Sequence, residues 1–176
     1  MGRIYELSFT GTLSIGTTNL TFSEITFSPI VQRAYVDSNA LQTITTQIPA
    51  DDTIPQNTEG EQVFTRTITM RSLVNKIRFD WSLFVSPEAA GNVTAAIFQD
   101  AIVNALGAQM ITVATANNVG INSGSFEIVP ATLSPITFNL RAGLSVAGDL
   151  NINGNVVGRL LGDIPKSSFT VTELKP

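Results

Sequence analysis

The chain of 176 residues contains no cysteine and no histidine. Disulfides, thiolate metal sites and thiol nucleophiles are excluded, and so is every mechanism that needs an imidazole, a Ser-His-Asp triad included. Any catalysis would fall to carboxylates, hydroxyls, lysine or tyrosine. Charge is also scarce, at 14% of residues against roughly 25% in ordinary soluble domains. A monomer of this size needs a charged skin, so a chain this neutral is expected to hide part of its surface in an oligomer. The ten basic residues are outnumbered by fourteen acidic ones. They form no basic run and no aromatic-basic interleaving, so nucleic acid is not an expected partner. No apolar stretch reaches the length of a signal-peptide core or a membrane span, and no membrane association is expected.

What the chain has in abundance is period-two alternation. IRFDWSLFV sets Ile77, Phe79, Trp81, Leu83 and Val85 on one face with Arg78, Asp80 and Ser82 opposite, the pattern of a half-buried strand. SFTVTEL repeats it with Phe169 and Val171, and TFNLRAGL with Phe138 and Leu140. QVFTRTITM puts Phe64, Ile68 and Met70 on one side, with Arg66 as an intruder. Turn residues recur about every 8 to 12 positions, the spacing of an all-β sandwich or barrel. One segment resists. AAIFQDAIVNALGA reads equally well as a helix through Phe98, Ile102 and Ala105 or Leu106, or as two strands about a turn. Residues 1–40 hold three or four short strand candidates, too few for a core of their own, whereas 41–176 hold about eight. The division expected is an N-terminal β arm over 1–40 and a jelly-roll domain over 41–176.

Two motifs bear on chemistry. In GDLNINGNVVG, Asp149, Asn151, Asn153 and Gly154 match the opening of a calcium loop, but its twelfth position is Leu160 instead of a bidentate glutamate. The competing reading, which Asn-Gly between apolar alternations favours, is a hairpin with a type I′ turn at Asn153–Gly154 and Val156 and Val157 on the outgoing strand. Asp149, Asn151 and Asn153 thus stand as weak metal candidates, and no cofactor is expected. DDTIPQNTEGEQ, residues 51–62, carries the densest acid cluster: Asp51, Asp52, Glu59 and Glu61. A glycosidase needs two carboxylates across one sugar, and adjacent residues of an extended segment point opposite ways. The cluster beside two prolines therefore reads as a solvated lead-in loop. Lys76, Arg78 and Lys166 read as strand-end solvation, and Trp81 as core. Asn19-Leu20-Thr21 and Asn92-Val93-Thr94 fit the glycosylation pattern without a secretion signal to give it meaning.

DDTIPQNTEG before a strand, AAIFQDAIVNALGA, LRAG and the terminal GDIPKSSFTVTELKP together resemble the compact C-terminal module of bacteriophage tail fibres. In that family an acid-Thr-Ile-Pro-Gln segment introduces the domain and a Ser-x-x-Thr-Val-x-Glu strand closes it. The resemblance covers residues 46–176 and implies a tumour-necrosis-factor-like jelly roll, similar to complement-type heads, that assembles as a homotrimer. It favours strands about a turn for AAIFQDAIVNALGA. Long fibres carry a stem before the tip, whereas this sequence shows about 40 residues before the module. A virion-surface protein made in the host cytoplasm and seated on the phage head is therefore expected: a non-enzymatic decoration or cement protein. Its arm residues Ile4, Tyr5, Leu7, Phe9, Leu20 and Phe22 would contact the major capsid protein through buried area and strand addition. The alternative is a fibre tip that recognises a host-cell glycan or surface protein through loops at one end of the sandwich. A carboxylate-dependent glycan depolymerase is a distant third.

Overall fold

The computed structural model describes the backbone of residues 12–15 and 18–21 and the whole of residues 29–176. Strands β1 (Thr12–Ile15) and β2 (Thr18–Thr21) form an antiparallel hairpin in which the backbone of Leu20 pairs with that of Leu13. The other arm candidates, Ile4, Tyr5, Leu7, Phe9 and Phe22, lie outside the described residues. Next come β3 (Ile30–Ser38), β4 (Gln42–Ile44), β5 (Glu61–Thr69), β6 (Lys76–Pro87) and β7 (Gly91–Gln99). Beyond them run β8 (Gly107–Val113), β9 (Gly120–Ile128), β10 (Pro135–Leu144), β11 (Leu150–Ile152), β12 (Gly154–Asn155), β13 (Gly158–Arg159) and β14 (Ser167–Leu174).

Four antiparallel pairings nest inside one another: β3 with β14, β5 with β10, β6 with β9, and β7 with β8. The chain behaves as one long hairpin wound over itself, and that winding defines a jelly roll. It yields two sheets, β5-β10-β7-β8 and β3-β14-β6-β9. β11 and β4 continue the second sheet along the far half of β6. The fold is an all-β sandwich, as the alternation implied. The inward row of β6 is Ile77, Phe79, Trp81, Leu83 and Val85, all at most 5% exposed. Phe79 joins the sheets, meeting Phe138 of the opposite sheet edge-on at 4.8 Å and Phe126 of its own at 4.9 Å. Trp81 lies flat on Gly124, where a Cβ would come within 2.2 Å of the indole. Its Nε1 donates to Asn122 Oδ1 at 3.0 Å, so the indole's polar edge is satisfied inside the core.

The seams where the sheets meet are closed by side chains that reach backbone carbonyls. Asn122 on β9 donates to Val93 O and Gln109 O of the facing sheet. On the other seam Gln32 Nε2 donates to Thr69 O, and Arg66 Nε donates to Tyr35 O at 3.0 Å. Arg66 is thus no intruder. It shares the inward row of Phe64 and Ile68 on an edge strand and spans the gap to β3.

Three expectations are altered or settled. The sandwich begins at residue 30 rather than 41, because Ile30–Ser38 pairs with β14 along nearly its whole length; the boundary at residue 40 falls behind the first sandwich strand. AAIFQDAIVNALGA is two strands about a turn that starts at Asp100, φ 48°. Its alternation is lost because Ala95, Ala96, Ile97 and Phe98 are buried on both faces of β7, and a strand covered on both sides reads as one apolar run. The hairpin after Asp149 is displaced: Gly154–Asn155 pairs with Gly158–Arg159, so Val156 and Val157 form the tip, not an outgoing strand. Asn153 does adopt positive φ, 63°, but it is 2% exposed and turns a corner between β11 and β12. Tertiary hydrogen bonds hold that corner, and a local turn preference could not foresee them.

Candidate functional site

The calcium-loop candidates do not share one loop. Asn151 lies within β11, where its Oδ1 accepts from Thr43 Oγ1 at 2.9 Å and its Nδ2 donates to Glu88. Asn153 donates to Ser38 O and Ala40 O and accepts from Ser167 Oγ at 2.7 Å. Both carboxamide oxygens are thus engaged by hydroxyl donors, while Asp149 is half-buried one residue before the strand. These residues act as pegs between strands. Ser167, the first residue of the terminal Ser-x-x-Thr-Val-x-Glu motif, is bonded to Asn153 and also accepts from Phe84 N.

The last residue of that motif is more unusual. Glu173 continues the inward row of Phe169 and Val171 and is 0% exposed. Burial pushes its carboxyl up, but donation from Asn75 Nδ2, Gln32 Nε2 and the backbone of Arg71 and Ser72 outweighs this and holds it below the usual glutamate range. A buried carboxylate bonded only to neutral donors organises one loop, residues 70–75.

The acid cluster of residues 51–61 belongs to a segment that crosses the outer face of the β5-β10-β7-β8 sheet. Ile48, 0% exposed, sits on Gly143, where a Cβ would lie 2.7 Å from both its Cγ1 and its backbone nitrogen. Arg141 projects from the same face and donates to Glu59 O at 2.8 Å and Gly60 O at 2.7 Å. Asn57 donates from its backbone to Val103 O and from its side chain to Ala101 O and Ile102 O. Three of its four acids have a local duty. Asp51 accepts from the hydroxyl and backbone of Thr53, which lower its pKa. Glu61 accepts from the backbone and hydroxyl groups of Thr45 and Thr46, the backbone of Thr45 foremost, and is likewise held low. Glu59 accepts from Gln56 N. A general acid for glycoside cleavage needs a raised pKa; Asp51 and Glu61 have moved the other way. Between this segment and β7–β8 runs an open groove in two stretches of about 450 and 290 Å³, lined by Asp51, Asp52, Thr53, Asn92, Thr94 and Met110. Among the described residues no three acidic side chains converge as a metal site would need.

The outer face of the β3-β14-β6-β9 sheet is the contrasting surface. Its outward rows place Ser82, Ser123, Ser125, Ser168, Thr170 and Thr172 at the middle. Most of its charge lies in surface ion pairs, Lys76–Glu127 at 3.2 Å, Arg78–Asp80 at 2.9 Å and Lys166–Asp37 at 3.0 Å, while Arg33 lies over the Tyr35 ring at 5.1 Å. Exposed pairs of this kind contribute little stability, and the three basic residues solvate strand ends as expected. None of the described segments covers this face as residues 45–60 cover the opposite one. Sequence reasoning did not find Ile48, Asn57, Asn122 or Arg141. No periodicity marks them, since each acts on a strand or loop far away in the chain.

No family profile matches the chain, and no curated protein matches it. Among solved structures, the tumour necrosis factor Eiger from S. frugiperda is similar at 7% identity and a TM-score of 0.45, over 81% of this chain and 92% of that one. A subviral particle of infectious bursal disease virus VP2 is similar at 9% identity and a TM-score of 0.37, over 91% of this chain and 41% of that one. The enzymatically active domain of tailspike protein 4 from bacteriophage CBA120 follows at 14% identity and a TM-score of 0.29, over 69% and 18%. The jelly-roll assignment rests on the strand pairing itself.

Proposed function

We propose that this chain is a non-enzymatic structural protein of a bacteriophage virion, a homotrimer that decorates the head and stabilises its shell. The observation that carries the reading is the fit between the motifs of the fibre-tip module and the roles they take in this sandwich. The acid-Thr-Ile-Pro-Gln segment becomes the crossing that leads into β5, and the Ser-x-x-Thr-Val-x-Glu strand becomes β14, flanked by β3 and β6. The serines at the middle of that sheet face, among them the exposed Ser123 and Ser125, support self-association, because small neutral side chains lose little on desolvation compared with lysine or glutamate. Adhesion to the major capsid protein is assigned to the N-terminal segment. The long sandwich strands meet at seams bridged by Asn122, Gln32 and Arg66, so strand addition would have to come from the arm.

Light scattering on the purified protein tests the assembly: three chains of 18.8 kDa give a particle of about 56 kDa. A monomer at micromolar concentration overturns the trimer. Co-sedimentation with heads purified without this protein tests the location. Full-length protein should bind and a form lacking residues 1–28 should not. A form lacking residues 1–38 is the wrong comparison, because it removes β3 from the sheet. The second reading, a fibre tip for a host-cell glycan or surface protein, is favoured by the groove with its carboxylate, amide and hydroxyl lining. Full-length protein that ignores heads but coats host cells would replace the first reading with the second.

A further inference from the structure

The strand register gathers three loops at one end of the sandwich. Thr69 pairs with Pro135, Ile77 with Ile128, and Gln99 lies opposite Phe138, so loops 70–75, 129–134 and 100–106 emerge together. Their tips expose Leu73, Val74, Ile102, Val103, Val129 and Leu133, each between 47% and 68% accessible. The three loops hold only two charged residues, Arg71 and Asp100, and Asp100 Oδ1 is occupied by Thr137 N. The opposite end also exposes aliphatic side chains, but there they are interspersed with Glu88, Asp149 and the ion pairs Arg159–Asp163 and Lys166–Asp37. Scattered surface aliphatics need no explanation, whereas a charge-poor group at one end does.

Two of these tips are also fastened from below. Glu173 bonds Arg71 N at 2.8 Å and Asn75 Nδ2 at 2.6 Å, fastening both sides of Leu73 and Val74. Asn57 takes the carbonyls of Ala101, Ile102 and Val103, fastening the second loop. A buried carboxylate is costly without a cation partner. Here it presents two aliphatic side chains to solvent, an arrangement that lowers the entropy cost of docking them against a partner. The chain enters the sandwich at this same end: Pro29 O accepts from Lys175 N at 2.7 Å, and Ile30 pairs with Leu174. The N-terminal segment thus joins the sandwich beside these three loops.

We infer that this crown of loops is a docking surface for the head shell, meeting an apolar, weakly charged patch of the capsid protein beside the arm. The inference rests on the shell reading above and adds a second contact to it. The test is co-sedimentation of full-length protein with heads purified without it. The variant Val74→Asp/Val103→Asp/Val129→Asp places three charges at exposed tips and should keep the melting temperature and oligomeric state of the parent. Its affinity for heads should fall at least tenfold, while the control Val157→Asp/Ile164→Asp at the opposite end binds like the parent. Crown-variant binding equal to the parent overturns the inference and leaves the shell reading intact; parent protein that fails to bind heads overturns both. Should the triple variant misfold, hydrogen exchange on the parent decides: the three loops should gain protection when heads are added. Unchanged exchange overturns the docking surface. So does protection already present in free protein and lost on removing residues 1–28, which would assign the crown to the chain's own arm.

Discussion

The two outer faces of this sandwich are made differently although their inner faces are alike. Both inner faces are mainly aliphatic and aromatic, with Arg66, Asn122 and Glu173 set into their margins. The outer face of the β5-β10-β7-β8 sheet is roofed by residues 45–60, with Ile48 seated on Gly143 and Arg141 gripping two carbonyls of the roof. No described segment crosses the outer face of the β3-β14-β6-β9 sheet in the same way; there Ser123 and Ser125 are exposed, while Thr170 and Thr172 are 7% and 6% exposed. A roofed strand becomes apolar on both sides, as β7 has. An open strand stays alternating and small, as β14 has outside its core row. The difference says which face a described segment crosses and which it does not.

Removing the seat of the roof should break the comparison most severely. Ile48→Ala is expected to destabilise by about 2–5 kcal/mol, the range for emptying a fully buried aliphatic site. Chemical denaturation that shows less than 1 kcal/mol would mean the roof is not part of the folded core. Arg141→Ala comes next. It strands Glu59 O and Gly60 O without their charged donor, at roughly 1–3 kcal/mol, while a distant surface arginine change such as Arg159→Ala stays within about 0.5 kcal/mol.

Acid provides a milder probe of the same roof. Glu61 ties Thr45 and Thr46 to the start of β5, and its folded-state pKa lies below the free value of 4.5. The unfolded chain therefore takes up the proton first as pH falls. The stabilisation is complete above about pH 4.5 and is lost as pH drops through the lower, folded value. Melting temperature should be level from pH 7 to 5 and decline below 4.5. In Glu61→Gln that acid limb should be shallower; an unchanged limb would remove Glu61 from the account. On the open face the effect on folding should be smallest. Ser123→Arg, at an exposed position of that face, should leave the stability of the sandwich within about 0.5 kcal/mol, yet split the proposed trimer into monomers by light scattering. An intact trimer would move self-association to another surface.

The inward rows of β5, β6, β10 and β14 were legible in the sequence because side-chain direction alternates with every residue of an extended chain, whatever it later pairs with. The same rule failed at β7, where cover from a segment some 40 residues earlier made both faces apolar and produced a false helical spacing. It failed again at Asn153, whose positive φ serves a corner held by Ser38, Ala40 and Ser167. The arm boundary at residue 40 went wrong for a related reason. Ile30–Ser38 looks like any short alternating strand until β14 arrives from the other end of the chain. Low charge and missing cysteine and histidine did bound the chemistry, since composition needs no fold to be read. The nested pairing, the roof, the buried Glu173 and the gathering of three aliphatic loops beside the arm were decided by tertiary structure alone. Each depends on hydrogen bonds and packing between residues distant in the chain, and local sequence cannot encode distance.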